Sequence, residues 1–154
     1  MSTTGNHLEW AVPGAAVAAI YSSRGAVTSV QRGTITKVLT RDVVVDFPRT
    51  GEERWSNQSV GGERYVRIMK GWDGQEAVLA PPEGADVVDA INYIRSVKAG
   101  RAVRAAYEAF LASKGSSANL ETLDALIAAA QQAREPIARA AQAEAAKAAR
   151  SWLK

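Results

Sequence analysis

Few residues in this chain carry side chains suited to covalent or metal chemistry. There is no cysteine, and the one histidine, His7, lies in a polar N-terminal stretch. That composition excludes a disulfide framework, a thiolate zinc site and a cysteine nucleophile. A lone histidine supplies neither a metal cluster nor a well-held general base. No phosphate-binding glycine loop, dinucleotide fingerprint, HExxH, GxSxG or CxxC occurs. Paired acids stand at Glu52-Glu53 and at Asp86 with Asp89. The first pair sits at a hairpin turn, where solvated charge is expected, and the second suits a helix start, with Asp86 as N-cap. Nothing gathers several acids on adjacent strands, as a carboxylate-only magnesium site requires. The expectation is a protein that is not an enzyme and takes no cofactor or metal.

Aromatic and basic residues are the better lead. Six of the ten rings fall in residues 1–75: Trp10, Tyr21, Phe47, Trp55, Tyr65 and Trp72. Rings in a small fold fill its core. Alternatively, Trp55, Tyr65 and Trp72 lie exposed beside Arg54, Arg64 and Arg67. Such a face can stack bases and contact phosphates, or anchor a protein partner. Arg95, Lys98, Arg101 and Arg104 recur every three residues, which drifts about 60° per step around a helix and reads as a solvated face. The charge balance is small: 19 basic against 16 acidic side chains, a net +3. No segment carries the dense positive field of a phosphate-neutralising protein. Nucleic acid is compatible with this charge but not demanded by it.

The elements that position these residues divide the 154-residue chain in two. Of 30 alanines, 6 lie in residues 1–75 and 24 in residues 76–154. The first half reads as strands. Val12-Pro13-Gly14 opens Ala15–Ser22, Gly33 precedes the β-branched run Thr34–Thr40, and Val43, Val45 and Phe47 alternate on one face. Val27–Val30 reads as a short strand or part of a loop. Pro48–Gly51 is a turn before Glu53–Ser56, and Glu63–Met69 is a last strand. Five or so short strands with regular turn signals make a small antiparallel barrel or sandwich.

Ala80-Pro81-Pro82-Glu83-Gly84 is a stiff connector hostile to strands. Beyond it Val87, Ile91 and Ile94 follow helical spacing, as do Val103, Tyr107, Phe110 and Leu111. The two sets are about 160° out of phase at 100° per residue, which predicts a bend or break at Gly100. Asn119 is an N-cap for a further helix. There Leu120, Leu123, Leu126 or Ile127, Ala130, Arg134 and Ile137 form a narrow apolar seam at coiled-coil spacing. Pro136 predicts a kink or boundary. Ala138–Ala149 favours helix by propensity but buries little, so the tail needs a partner surface.

The run Gly14, Val17, Ile20, then Gly33 through Phe47 and Glu53-Arg54-Trp55, resembles an SH3-like small β-barrel of the KOW or Tudor type. In that family a glycine opens a strand, a tight turn leads to a V-x-V strand, and the second arm of the next hairpin carries an aromatic. The resemblance covers roughly residues 10–70. It implies a barrel that binds RNA, DNA or protein tails rather than one that catalyses. The overall style, rich in alanine, valine and arginine with a tiny barrel joined to helices, resembles small accessory proteins of bacteriophages infecting high-GC hosts.

The resulting expectation is an α+β chain. A barrel spans 8–75, a Pro/Gly linker 76–84, and a helical region of three or four helices 85–153. The leading function is a non-catalytic protein-binding module of a phage or bacterial assembly. Nucleic-acid binding through the hairpin face is the alternative. A third reading is helix-mediated homo-oligomerisation through Leu120, Leu123, Leu126 and Ile127. Met1–Glu9 lacks a basic n-region followed by an apolar h-region, and no apolar run approaches the ~20 residues that span a bilayer. The expected location is the cytoplasm, that of the host if the chain is phage-encoded, without a membrane partner.

Overall fold

The structure, a computed structural model, describes residues 8–57, 65–68 and 75–151. Six antiparallel strands close into a barrel in the order β1-β2-β3-β4-β5-β6. They are β1 (Ala16–Ser23), β2 (Ala26–Val38), β3 (Asp42–Phe47), β4 (Gly51–Ser56), β5 (Tyr65–Ile68) and β6 (Gln75–Ala80). Two helices follow, α1 (Ala85–Ala112) and α2 (Asn119–Ser151). The chain divides into two compact units, Met1–Ala90 and Ile91–Lys154.

Period-two alternation builds the barrel core. Val17 and Ala19 of β1, Ile35 of β2, Val43, Val45 and Phe47 of β3, Trp55 of β4, Tyr65 of β5 and Ala77 and Leu79 of β6 form one buried cluster. Two sequence expectations change here. Val27–Val30 is neither a loop nor a separate strand but the first half of β2, which pairs with β1 from Ala26 to Thr34 and then with β3 from Thr34 to Val38. Residues 76–80, read as the start of the 76–84 linker, belong to β6, the strand that closes the barrel by pairing with β1. Gln75-Glu-Ala-Val-Leu-Ala80 alternates like its neighbours, and the adjacent prolines concealed this.

Gly33 makes the corner in β2 feasible. A Cβ built there would lie 2.7 Å from Phe47 Cδ1 and 2.8 Å from the Asp46 carbonyl oxygen. The backbones of β2 and β3 therefore approach more closely than any side chain allows.

Two helices, rather than three or four, make up the rest. α1 runs unbroken through Gly100, where glycine costs only ~1 kcal/mol relative to alanine. Val87 and Ala90, both buried, belong to the first unit, whereas Ile91, Ile94 and the Val103 set belong to the second. Asp86 occupies the first turn but not the cap, because the Gly84 carbonyl accepts the first helical bonds, from Val87 and Val88. α2 likewise continues through Pro136 as one helix. Among the described residues no helix is long and apolar enough to cross a membrane.

Gly33→Ala should destabilise the barrel by about 1–3 kcal/mol, the usual cost of overpacking. Urea unfolding followed by tryptophan fluorescence measures it. An unchanged midpoint would show that β3 can yield at this contact.

Candidate functional site

Two surfaces carry side chains beyond what packing requires. The first is one mouth of the barrel. Strand register places Tyr21, Ser29, Gln31, Glu53, Arg67 and Gln75 on the inward face, in line with the core residues of their strands. They line a cavity of about 270 Å³ together with Ser22, Thr28, Thr50 and Glu76. Arg67 and Glu53 form an ion pair across β4 and β5, with the Glu53 side chain 11% exposed. Tyr21 is the apolar floor on one side, edge-on to Trp55 with centroids 6.3 Å apart. Gln31 Oε1 is buried without a hydrogen-bond partner among the described residues. The core also packs against Leu8 and Trp10, and Trp10 meets Tyr65 edge-on at 5.8 Å.

Burial pushes the Tyr21 hydroxyl above its ordinary value of 10.0, the Glu53 carboxylate raises it further, and Arg67 opposes both. Burial also raises Tyr65, against a backbone hydrogen bond at Leu8. The mouth can therefore hold a small polar group by hydrogen bonds. The Tyr21 hydroxyl faces the Glu53 carboxylate there. Among the described residues no cluster of His, Cys, Asp or Glu is placed to hold a metal ion.

The second surface lies on the helical unit. From Ala99 onward the half-buried positions of α1 are Ala99, Val103, Ala106 and Phe110, and Ser113 just beyond its end continues the row. From Thr122 to Ala143 the half-buried or buried positions of α2 are Thr122, Leu126, Ala129, Ala133, Pro136, Ala140 and Ala143, with Leu123 beside them. Both rows step by alternating fours and threes, the mark of left-handed knobs-into-holes packing. They are the seam of an antiparallel helical hairpin. Its turn is fastened by Ser113, whose hydroxyl bonds to Thr122 Oγ1 and to Asn119 Oδ1. Half of these seam positions are alanine, interleaved with Val103, Phe110, Leu126 and Pro136.

The position immediately after each seam residue lies on one broad side of the hairpin, and in an antiparallel pair that side is common to both arms. There stand Gly100, Arg104, Tyr107 and Leu111 of α1 with Leu120, Leu123, Ile127, Ala130, Arg134, Ile137, Ala141 and Glu144 of α2. Leu120 is 73% exposed, and Tyr107, Leu111, Ile127 and Ile137 are each close to half exposed. An open groove of about 670 Å³ runs along this side, lined by Val103, Ile127, Ala130, Ala133, Ile137 and Ala141, among others.

The ring-and-arginine face expected from sequence is not assembled among the described residues. Trp55 and Tyr65 are completely buried core residues. Arg54 leans on the outer face of the barrel, where its guanidinium pairs with Asp42. Arg67 points into the mouth. Arg64 and Trp72 lie outside the described residues. Of the helical cations, Arg104 pairs with Glu108 at 2.9 Å, and Arg95, Lys98 and Arg101 are exposed. Leu120, Leu123 and Ile127 share the broad face, whereas Leu126 belongs to the internal seam. The sequence reading missed the polar mouth, although alternation from Trp55 to Glu53 and from Tyr65 to Arg67 was the signal for it. No family model, curated protein or solved structure matches the chain.

Because the folded state holds the Tyr21 and Tyr65 protons more tightly than the unfolded chain, their contribution to stability is complete below pH 10.0. It declines as pH rises through the folded values. Tyrosinate absorbance should show two of the four tyrosines titrating late. Tyr21→Phe should remove one of them, and Glu53→Gln should move Tyr21 back toward 10.0. An unmoved Tyr21 midpoint in Glu53→Gln would contradict the assigned geometry.

Proposed function

We propose that this chain is a non-catalytic protein-binding module whose docking surface is the broad face of its helical hairpin. One observation carries the reading: large apolar side chains line a groove on one side of two helices whose own seam is formed by other residues, half of them alanines. A solvated helix face carries charges, and contiguous exposed apolar surface marks an interaction site. An amphipathic helix laid into such a groove would cover Ile127 and Ile137. The small closed barrel, whose sequence resembles the SH3-like type, then serves as the rigid body that carries the hairpin. A place among small phage or bacterial assembly proteins fits that division of labour.

The test compares the full chain with Ile127→Asp and Ile137→Asp. Both positions are about half exposed, so each variant should unfold within about 1 kcal/mol of the parent. Sedimentation and chemical cross-linking should show association with a protein, a second copy of the chain included, that both variants lose. If no protein associates in a way that depends on Ile127 and Ile137, the reading is wrong.

A further inference from the structure

We infer that the polar mouth of the barrel is a binding site for one neutral polyhydroxylated ring, a single sugar unit, free or at the end of a glycan. The site lies wholly within the first unit and is independent of the docking face on the helices.

The two ends of the barrel are finished differently. At the end where β5 begins, Leu8 and Trp10 pack against the core, Ala11 is 3% exposed, and the Trp10 ring meets Tyr65 edge-on. Apolar side chains therefore cap that end. At the opposite end β1 finishes at Ser23 and β4 starts at Gly51. There the inward rows continue as Tyr21, Ser29, Gln31, Glu53, Arg67 and Gln75. Apolar residues at these positions would extend the core and hold the fold more firmly, because a buried polar group loses hydration that its contacts only partly return. Packing leaves this layer unexplained, and local breaches of the folding rules concentrate at functional sites.

Charge is the first feature that fixes the class of ligand. The Arg67 guanidinium and the Glu53 carboxylate pair with one another inside the mouth. Glu76, the other acid of the lining, alternates to the outer face of β6 between Gln75 and the buried Ala77. The inward charges of the described wall thus sum to zero. An anion would meet Glu53 and a cation would meet Arg67, and either would have to break the pair. The favoured guest is neutral.

Hydrogen bonding is the second. Gln31 Oε1 is buried and accepts no hydrogen bond from the described residues. Thr28 Oγ1 donates to the Tyr21 carbonyl at 3.2 Å, so toward a guest it is left with acceptor lone pairs. The Glu53 carboxylate adds acceptors, and the Arg67 guanidinium adds donors. A neutral guest that answers both kinds of group must carry several hydroxyls, each of which donates and accepts.

Shape is the third. The polar groups come from β1, β2, β4, β5 and β6, nearly all round the mouth. The single aromatic wall among the described residues is the half-buried Tyr21 ring, held edge-on by Trp55. A pyranose carries hydroxyls around its rim and C–H groups on its faces, so it matches a polar collar with one ring beside it. A nucleobase matches poorly, because it is held chiefly by stacking on aromatic faces. The cavity of about 270 Å³ equals the liquid volume of roughly nine waters at ~30 Å³ each. One substituted six-membered ring fits that space.

The test titrates the full chain with glucose, galactose, mannose and N-acetylglucosamine, read from backbone amide shifts by NMR. At least one sugar should bind with a Kd of about 1–10 mM, as suits a ligand of so few atoms, and should shift Tyr21, Gln31 and Arg67. Gln31→Leu should weaken that binding at least tenfold, yet unfold at the same or a higher urea concentration, because it removes an unpaired acceptor. A purely structural Gln31 would show the reverse, a lower midpoint with binding unchanged. The methyl glycoside of the sugar that binds separates the sources: retained binding assigns the mouth to the end of a glycan, and lost binding assigns it to the free sugar. Absence of binding by all of these sugars at about 50 mM, shifts confined to other residues, or parental affinity in Gln31→Leu would overturn the assignment. Tighter binding of inorganic phosphate, methylammonium or a nucleoside would overturn the neutral sugar class. Ile127→Asp should bind the sugar as the parent does, so failure of the mouth and failure of the docking face are read separately.

Discussion

The seam between the two long helices sets which side of each faces inward. Half of it is alanine, Ala99, Ala106, Ala129, Ala133, Ala140 and Ala143, interleaved with Val103, Phe110, Ser113, Thr122, Leu126 and Pro136. Burying those methyl groups gains less than burying leucines would, at roughly 25 cal/mol per Å² of apolar surface. It nevertheless places Tyr107, Leu111, Leu120, Ile127 and Ile137 on the outside, where water meets them. The exposed face and its groove both descend from that choice of seam.

The barrel obeys a different rule with a similar outcome. Strand alternation commits every second side chain to the interior, including those near the open end where the core has run out. Glu53 and Arg67 share the inward face with Trp55 and Tyr65 and pair with one another, with the Arg67 side chain still partly exposed to solvent. Such a pair is weak evidence for stability, since desolvation offsets much of the attraction. Its effect here is a polar, size-limited mouth with Tyr21 and Gln31 in its wall.

Much of this architecture was legible in the residues. The turn at Val12-Pro13-Gly14, the alternation of Val43, Val45 and Phe47, and the change from strands to alanine-rich helices all appear where the sequence places them. The errors have physical causes. Placing Arg54 and Trp55 on one surface breaks the period of two, which sends neighbours to opposite faces, so the indole went to the core and the guanidinium to Asp42. Weighting a helix seam by side-chain size selected Leu120, Leu123 and Ile127, a real row at the right spacing, but the row that the hairpin leaves uncovered. Gly100 and Pro136 looked like breaks because local propensity is read residue by residue. A helix of about thirty residues absorbs each cost through its neighbours. β6 was hidden because its six residues stand directly before Pro81-Pro82.

The outward placement of the apolar row is the central claim, and thiol accessibility tests it most directly. The chain has no cysteine of its own, so single cysteines can be placed at Ile127, Ile137 and Ala133. Ile127 and Ile137 are about half exposed and Ala133 is buried. In the free chain Ile127→Cys and Ile137→Cys should therefore react with a thiol reagent much faster than Ala133→Cys. Equal rates at the three positions would mean that the seam does not set the exposed face.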